Sequence, residues 1–73
     1  MTYQEIKIAL EDAMLKESQN LYDLWINDRD GVAESVIDVQ RNVSDGMSLR
    51  DAIDLEVADY SELFETQLMA VNN

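Results

Sequence analysis

An all-α fold, a small bundle of three helices, is predicted by three features of this 73-residue sequence. Apolar residues recur at helical spacing in three separate stretches, and no pair of strand-like stretches exists to build a sheet. Helix-starting pairs stand at Thr2–Glu5 and Ser48–Asp51, three residues apart as a capping box requires. Turn-forming residues cluster at Asn27–Gly31 and Asp45–Gly46, and there is no proline. The expected order is long, short, long around one core, which in so short a chain dimerisation can complete.

The first helix opens on Thr2-Tyr3-Gln4-Glu5. From there Tyr3, Ile6, Leu10, Ala13, Met14, Leu21, Leu24 and Trp25 share one stripe if the helix runs to Asn27. Glu17 and Asn20 fall on the same stripe, and Ser18-Gln19-Asn20 are poor helix formers. Two forms fit: one long helix with a polar notch, or two helices bent near Ser18. The long helix is the reading taken. A second apolar stripe, Ile8, Leu15, Tyr22 and Ile26, lies on the other side. It fits either a central helix buried on two sides or a dimer interface.

Asn27-Asp28-Arg29-Asp30-Gly31 is read as a turn. Its acids invite a calcium loop, but Gly31 at the sixth position would put Ile26 first and Ile37 twelfth, and neither side chain coordinates. Val32 to Val43 has helical spacing at Val32, Val36, Val39 and Val43, although its β-branched content also suits a strand. A strand would have no partner, so a helix is expected, ending at Gly46 in a left-handed cap.

The last helix, Ser48 to Met69, has two faces. Ser48 is the expected N-cap, with Met47 before it placed to staple onto Ala52. Leu49, Ile53, Val57, Tyr60, Phe64 and Leu68 form its apolar side. Ile53, Val57, Tyr60 and Phe64 are expected against Ile6, Leu10, Leu24 and Trp25. Asp51, Asp54, Asp59, Glu62 and Glu65 form the other side, and no basic residue follows Arg50. These carboxylates cover about 21 Å at ~1.5 Å per residue, a sparser line of charge than the ~3.4 Å phosphate spacing of a DNA strand. Asp23, Asp28, Asp30, Glu34, Asp38 and Glu56 widen the patch if the helices lie side by side.

Charge narrows the function. Sixteen acidic residues against 5 basic ones give a net charge of −11. Such a chain repels nucleic acid and anionic membranes and attracts basic partners. With no cysteine and no histidine, the usual zinc sites, a thiolate nucleophile and the commonest general base are all missing. Paired carboxylates such as Asp51 and Asp54 are the sole acid–base candidates, with no pocket expected around them. No catalytic residue, metal or cofactor is assigned. No membrane span or signal peptide is expected, and the cytoplasm is the expected location. Trp25, within Tyr22-Asp23-Leu24-Trp25-Ile26, closes the core or anchors an interface.

The segment Leu21-Tyr22-Asp23-Leu24-Trp25-Ile26-Asn27-Asp28, with Gly31 and then Ser48-Leu49-Arg50-Asp51-Ala52-Ile53, resembles small proteins of phages and mobile elements. In composition the chain is similar to acidic DNA-mimic inhibitors, the antirestriction and anti-CRISPR proteins. That resemblance implies an inhibitor occupying the basic, nucleic-acid-binding surface of a host enzyme, with no direct contact to nucleic acid. It supplies no functional residue. The partner-binding residues expected from the charge pattern are Asp51, Asp54, Asp59, Glu62 and Glu65. The alternative is a structural or adaptor homodimer, joined through Ile8, Leu15, Tyr22 and Ile26, whose acidity serves solubility.

Overall fold

The computed structural model describes the backbone of residues 1–72 and the side chains of residues 1–66. These residues form four α-helices and no strand: α1 (Tyr3–Glu17), α2 (Gln19–Asn27), α3 (Arg29–Ser44) and α4 (Leu49–Asn72). The expected first helix is therefore corrected to two, and the bundle has four helices, not three.

One residue makes the break. Ser18 is extended, its N–H closes α1 on the Met14 carbonyl at 3.0 Å, and its Oγ caps α2 by accepting from Leu21 N–H at 3.3 Å. A continuous helix would carry Glu17 and Asn20 into the core with Leu21 and Trp25. The break leaves Glu17 and Asn20 exposed while Leu21 and Trp25 are buried at 1% and 0% exposure. The energies favour this. Burying an indole removes roughly 150–250 Å² from water, worth about 4–6 kcal/mol, against about 1 kcal/mol for a helical hydrogen bond.

A second single-residue junction replaces the expected turn at Asn27–Gly31. Only Asp28 is non-helical. Its N–H bonds to the Trp25 carbonyl at 3.0 Å, and its Oδ1 accepts from Gly31 N–H at 3.1 Å, capping α3. Gly31 lies in the first turn of α3, where a Cβ would overlap the Asp28 carboxylate. Glycine is there to make room for the cap. At the far end of α3, Gly46 takes φ +108°, as the left-handed cap requires. Gly46 N–H bonds to the Val43 carbonyl at 3.1 Å and Met47 N–H to the Asn42 carbonyl at 3.0 Å, the paired bonds of a Schellman motif.

Helix starts follow the sequence. Thr2 Oγ1 accepts from Glu5 N–H at 3.2 Å, and Glu5 Oε1 accepts from Thr2 N–H at 3.1 Å, a complete capping box. Ser48 Oγ accepts from Asp51 N–H at 3.1 Å, and Met47 packs on the core that includes Ala52.

The core consists of Ile6, Leu10 and Met14 from α1, Leu21 and Trp25 from α2, Val32, Val36 and Val39 from α3, and Ala52, Ile53 and Val57 from α4. Tyr3 and Leu24, expected on the buried stripe, are exposed. Tyr60 and Phe64 are half-buried at its edge, not interior. For Leu24 the cause is the bend at Ser18, which turns α2 so that Tyr22 and Ile26, rather than Leu24, pack against the core. Leu68 lies outside the described side chains. Among the described side chains one polar residue is interior: Ser35, 2% exposed, whose Oγ accepts from Trp25 Nε1–H at 3.1 Å. That bond satisfies the indole and ties α2 to α3.

The candidate acidic interaction face

Because Ile53 and Val57 hold one side of α4 against the core, geometry sends Asp51, Asp54, Asp59, Glu62 and Glu65 to the other. All five are exposed. They do not form a uniform strip, since α4 borders two grooves of different character.

Toward α1, Asp54, Glu62 and Glu65 share a groove with Asp12 and Glu17, and also with Lys16 and Arg50. Lys16 is 3.1 Å from Asp12 in an exposed pair, which adds little stability but neutralises part of the local field. Toward α3, Asp59 shares a groove with Asp28, Glu34, Asp38 and Glu56, beside Tyr60 and Leu63. Among the described residues no lysine or arginine lines this second groove. Arg41 approaches Asp38 at 3.9 Å, from an exposed position on α3. Of the acids expected to widen the patch, Asp28, Glu34, Asp38 and Glu56 gather here, whereas Asp23 holds Gln19 on α2 through a 3.0 Å hydrogen bond.

Asp28 does two jobs in this groove. While Oδ1 caps α3, Oδ2 accepts from the Tyr60 hydroxyl at 3.2 Å, so one carboxylate links the α2–α3 junction to α4. Burial, then the charge and hydrogen bond of Asp28, push the Tyr60 hydroxyl up to about 12. It stays protonated and donates.

Glu56 is the unusual acid. Partial burial, followed by the charge of Asp38, pushes its carboxyl up to about 7; the Ser35 hydroxyl opposes the rise and Asp59 adds to it. The carboxyl therefore keeps its proton closer to neutrality than an ordinary glutamate does. Nothing local along the chain signals this, because the shift of Glu56 depends first on its burial and then on Asp38 and Ser35, about one turn apart on α3.

Two leucines were also missed. Leu55 and Leu63 are 43% and 51% exposed, four residues on either side of Asp59. Their spacing of eight was the available signal, because it puts both beside Asp59 on the outward ridge. The face is thus acidic with apolar patches.

The proposed self-association residues are divided. Ile8 and Leu15 project from α1, 56% and 46% exposed, while Tyr22 and Ile26 are half-buried against the core. Among the described residues no group of acids is arranged to hold a metal ion, and no helix is long and apolar enough to cross a membrane. Compared with known proteins, the chain matches no family model, and no curated protein or solved structure was found to be similar to it.

Proposed function

We propose that the protein is an inhibitor that uses the outward face of α4 to occupy a basic, nucleic-acid-binding surface on a host enzyme, in the host cytoplasm. The observation that carries this reading is the placement of Asp51, Asp54, Asp59, Glu62 and Glu65, all exposed along α4, with Asp59 bordering a groove toward α3 where Asp28, Glu34, Asp38 and Glu56 gather and, among the described residues, no cation. Long-range attraction of this kind speeds encounter and weakens with salt. Leu55 and Leu63 give the same face apolar contacts, which favours a protein surface over free cations.

Single exposed carboxylates contribute only about 0.2–1 kcal/mol, so the test is charge reversal. Asp54→Lys, Asp59→Lys and Glu62→Lys combined should abolish displacement of labelled duplex DNA from restriction or RNA-guided nucleases. Circular dichroism should show unchanged helicity, because all three side chains are exposed. A folded triple variant that competes at full strength in 150 mM salt overturns the reading.

A second reading is self-association through the outer side of α1. It is favoured by the exposure of Ile8 and Leu15 on the less acidic side of the molecule. Like charges would oppose approach there least. Sedimentation of the natural sequence as a monomer at high micromolar concentration would remove it.

A further inference from the structure

The chain has 5 basic residues at a net charge of −11, and two of them line one groove. That groove, about 400 Å³, lies where the start of α1, the end of α2 and the start of α3 come together. Tyr3 and Lys7 line it from α1, Ile26 and Asn27 from α2, and Arg29 and Val32 from α3. Among the described residues no acid lines it, and α4 contributes nothing to it. It is separate from the acidic face.

Neither cation is explained by the stability of its own helix. Arg29 is the first residue of α3, where the positive end of the helix dipole disfavours a cation. It is exposed and makes no ion pair among the described residues. Its neighbour Asp28 is committed elsewhere, one oxygen to Gly31 N–H and the other to the Tyr60 hydroxyl. Lys7 is half-buried, and its one carboxylate partner, Glu11, stands at 3.8 Å, too far for a hydrogen bond. Both cations therefore keep donors to offer.

We propose that this three-helix junction binds a small organic acid, its carboxylate held by Arg29 and Lys7 and its apolar body resting on Ile26 and Val32 beside Tyr3. A guanidinium takes a carboxylate through two parallel hydrogen bonds, and an ammonium adds a point charge. The volume falls at the lower end of the roughly 300–1,000 Å³ typical of small-ligand sites, which fits one ring and a short chain. Net charge selects the head group. An anion must approach a protein of −11, so a singly charged carboxylate is opposed less than a phosphate of nearly twice the charge.

An NMR titration of the isotope-labelled protein with phenylacetate tests this. Amide shifts should saturate at Tyr3, Lys7, Asn27, Arg29 and Val32 and leave Lys16 and Arg50 unmoved. Phenethyl alcohol, of similar shape and no charge, and inorganic phosphate should both bind more weakly. Arg29→Ala should weaken phenylacetate roughly tenfold or more, the worth of one hydrogen bond to a charged group, and Arg29→Lys should recover part of the loss. Lys7→Gln should weaken it less than Arg29→Ala. Circular dichroism should show both variants folded, since neither side chain belongs to the core. Shifts that rise without saturating, equal shifts at Lys16 and Arg50, equal binding of the alcohol, tighter binding of phosphate, or unchanged affinity in Arg29→Ala would overturn the proposal.

Discussion

The two halves of the molecule share one core and differ in how much negative charge they carry. Residues 1–27, carrying α1 and α2, hold 5 acids and 2 bases, a net of −3; residues 28–73, carrying α3 and α4, hold 11 acids and 3 bases, a net of −8. The first half exposes Met1, Tyr3, Ile8, Leu15 and Leu24, and the second exposes Ile37, Leu55 and Leu63. The contrast lies in charge: the second half carries most of it, while both halves expose apolar side chains among the described residues. Two junction residues hold the halves in this relation. Ser18 turns α2 so that Trp25 reaches Ser35 in the second half, and Asp28 ties the start of that half to Tyr60.

The strongest way to break the relation is Trp25→Ala. It empties the fully buried site in the first half and removes the donor to Ser35, so it should cost about 3–5 kcal/mol, measured by urea unfolding. In so small a domain that is enough to unfold most molecules. A loss below about 1 kcal/mol would mean that the halves do not depend on the indole.

Phe64→Ala probes the other end of the contrast. Phe64 is half-buried at the core's edge, so roughly 1–2 kcal/mol is expected, less than half the value of a fully enclosed aromatic residue. An equal loss for Phe64→Ala and Trp25→Ala would place the core farther along α4 than the bundle does.

Asp28→Ala removes an N-cap and the acceptor for Tyr60 together, about 1–2 kcal/mol from the two. Asp28→Asn keeps an oxygen for the cap and should recover much of the loss. Failure of asparagine to do so would make the charge, not the cap, the important feature.

The smallest effect belongs to the outer side of α1. Leu15 is 46% exposed, so in a monomer Leu15→Glu should change stability by less than about 0.5 kcal/mol. If α1 is a self-association surface, the same variant should instead shift the sedimentation coefficient to that of a single chain.

Much of this was legible along the chain. Thr2–Glu5 and Ser48 act over three residues, and Gly46 needs only its own backbone, so local chemistry decides them. The valines of the third helix read correctly for the same reason, since their spacing matches the face that α3 buries at Val32, Val36 and Val39. The break near Ser18 was visible as an alternative, and Glu17 and Asn20 on the apolar stripe were its signal. The long-helix reading lost because burying Trp25 without Glu17 outweighs one continuous ladder of hydrogen bonds. Asp28 was seen as one residue in a turn, and nothing local showed that its second oxygen would meet Tyr60, 32 residues away.

By itself, the sequence determined the helical class, the starts of the first and last helices, the left-handed stop at Gly46, a charge of −11, and carboxylates on the side of the last helix opposite its apolar stripe. These depend on composition or on neighbours within a turn or two. Only the tertiary structure decided that there are four helices, that Leu24 is exposed, that among the described residues cations enter one groove beside α4 and line none of the other, and that burial pushes the Glu56 carboxyl up. Each of those outcomes depends on how close charges and apolar surfaces from different helices come, and Coulomb and solvation energies change steeply over those few ångströms.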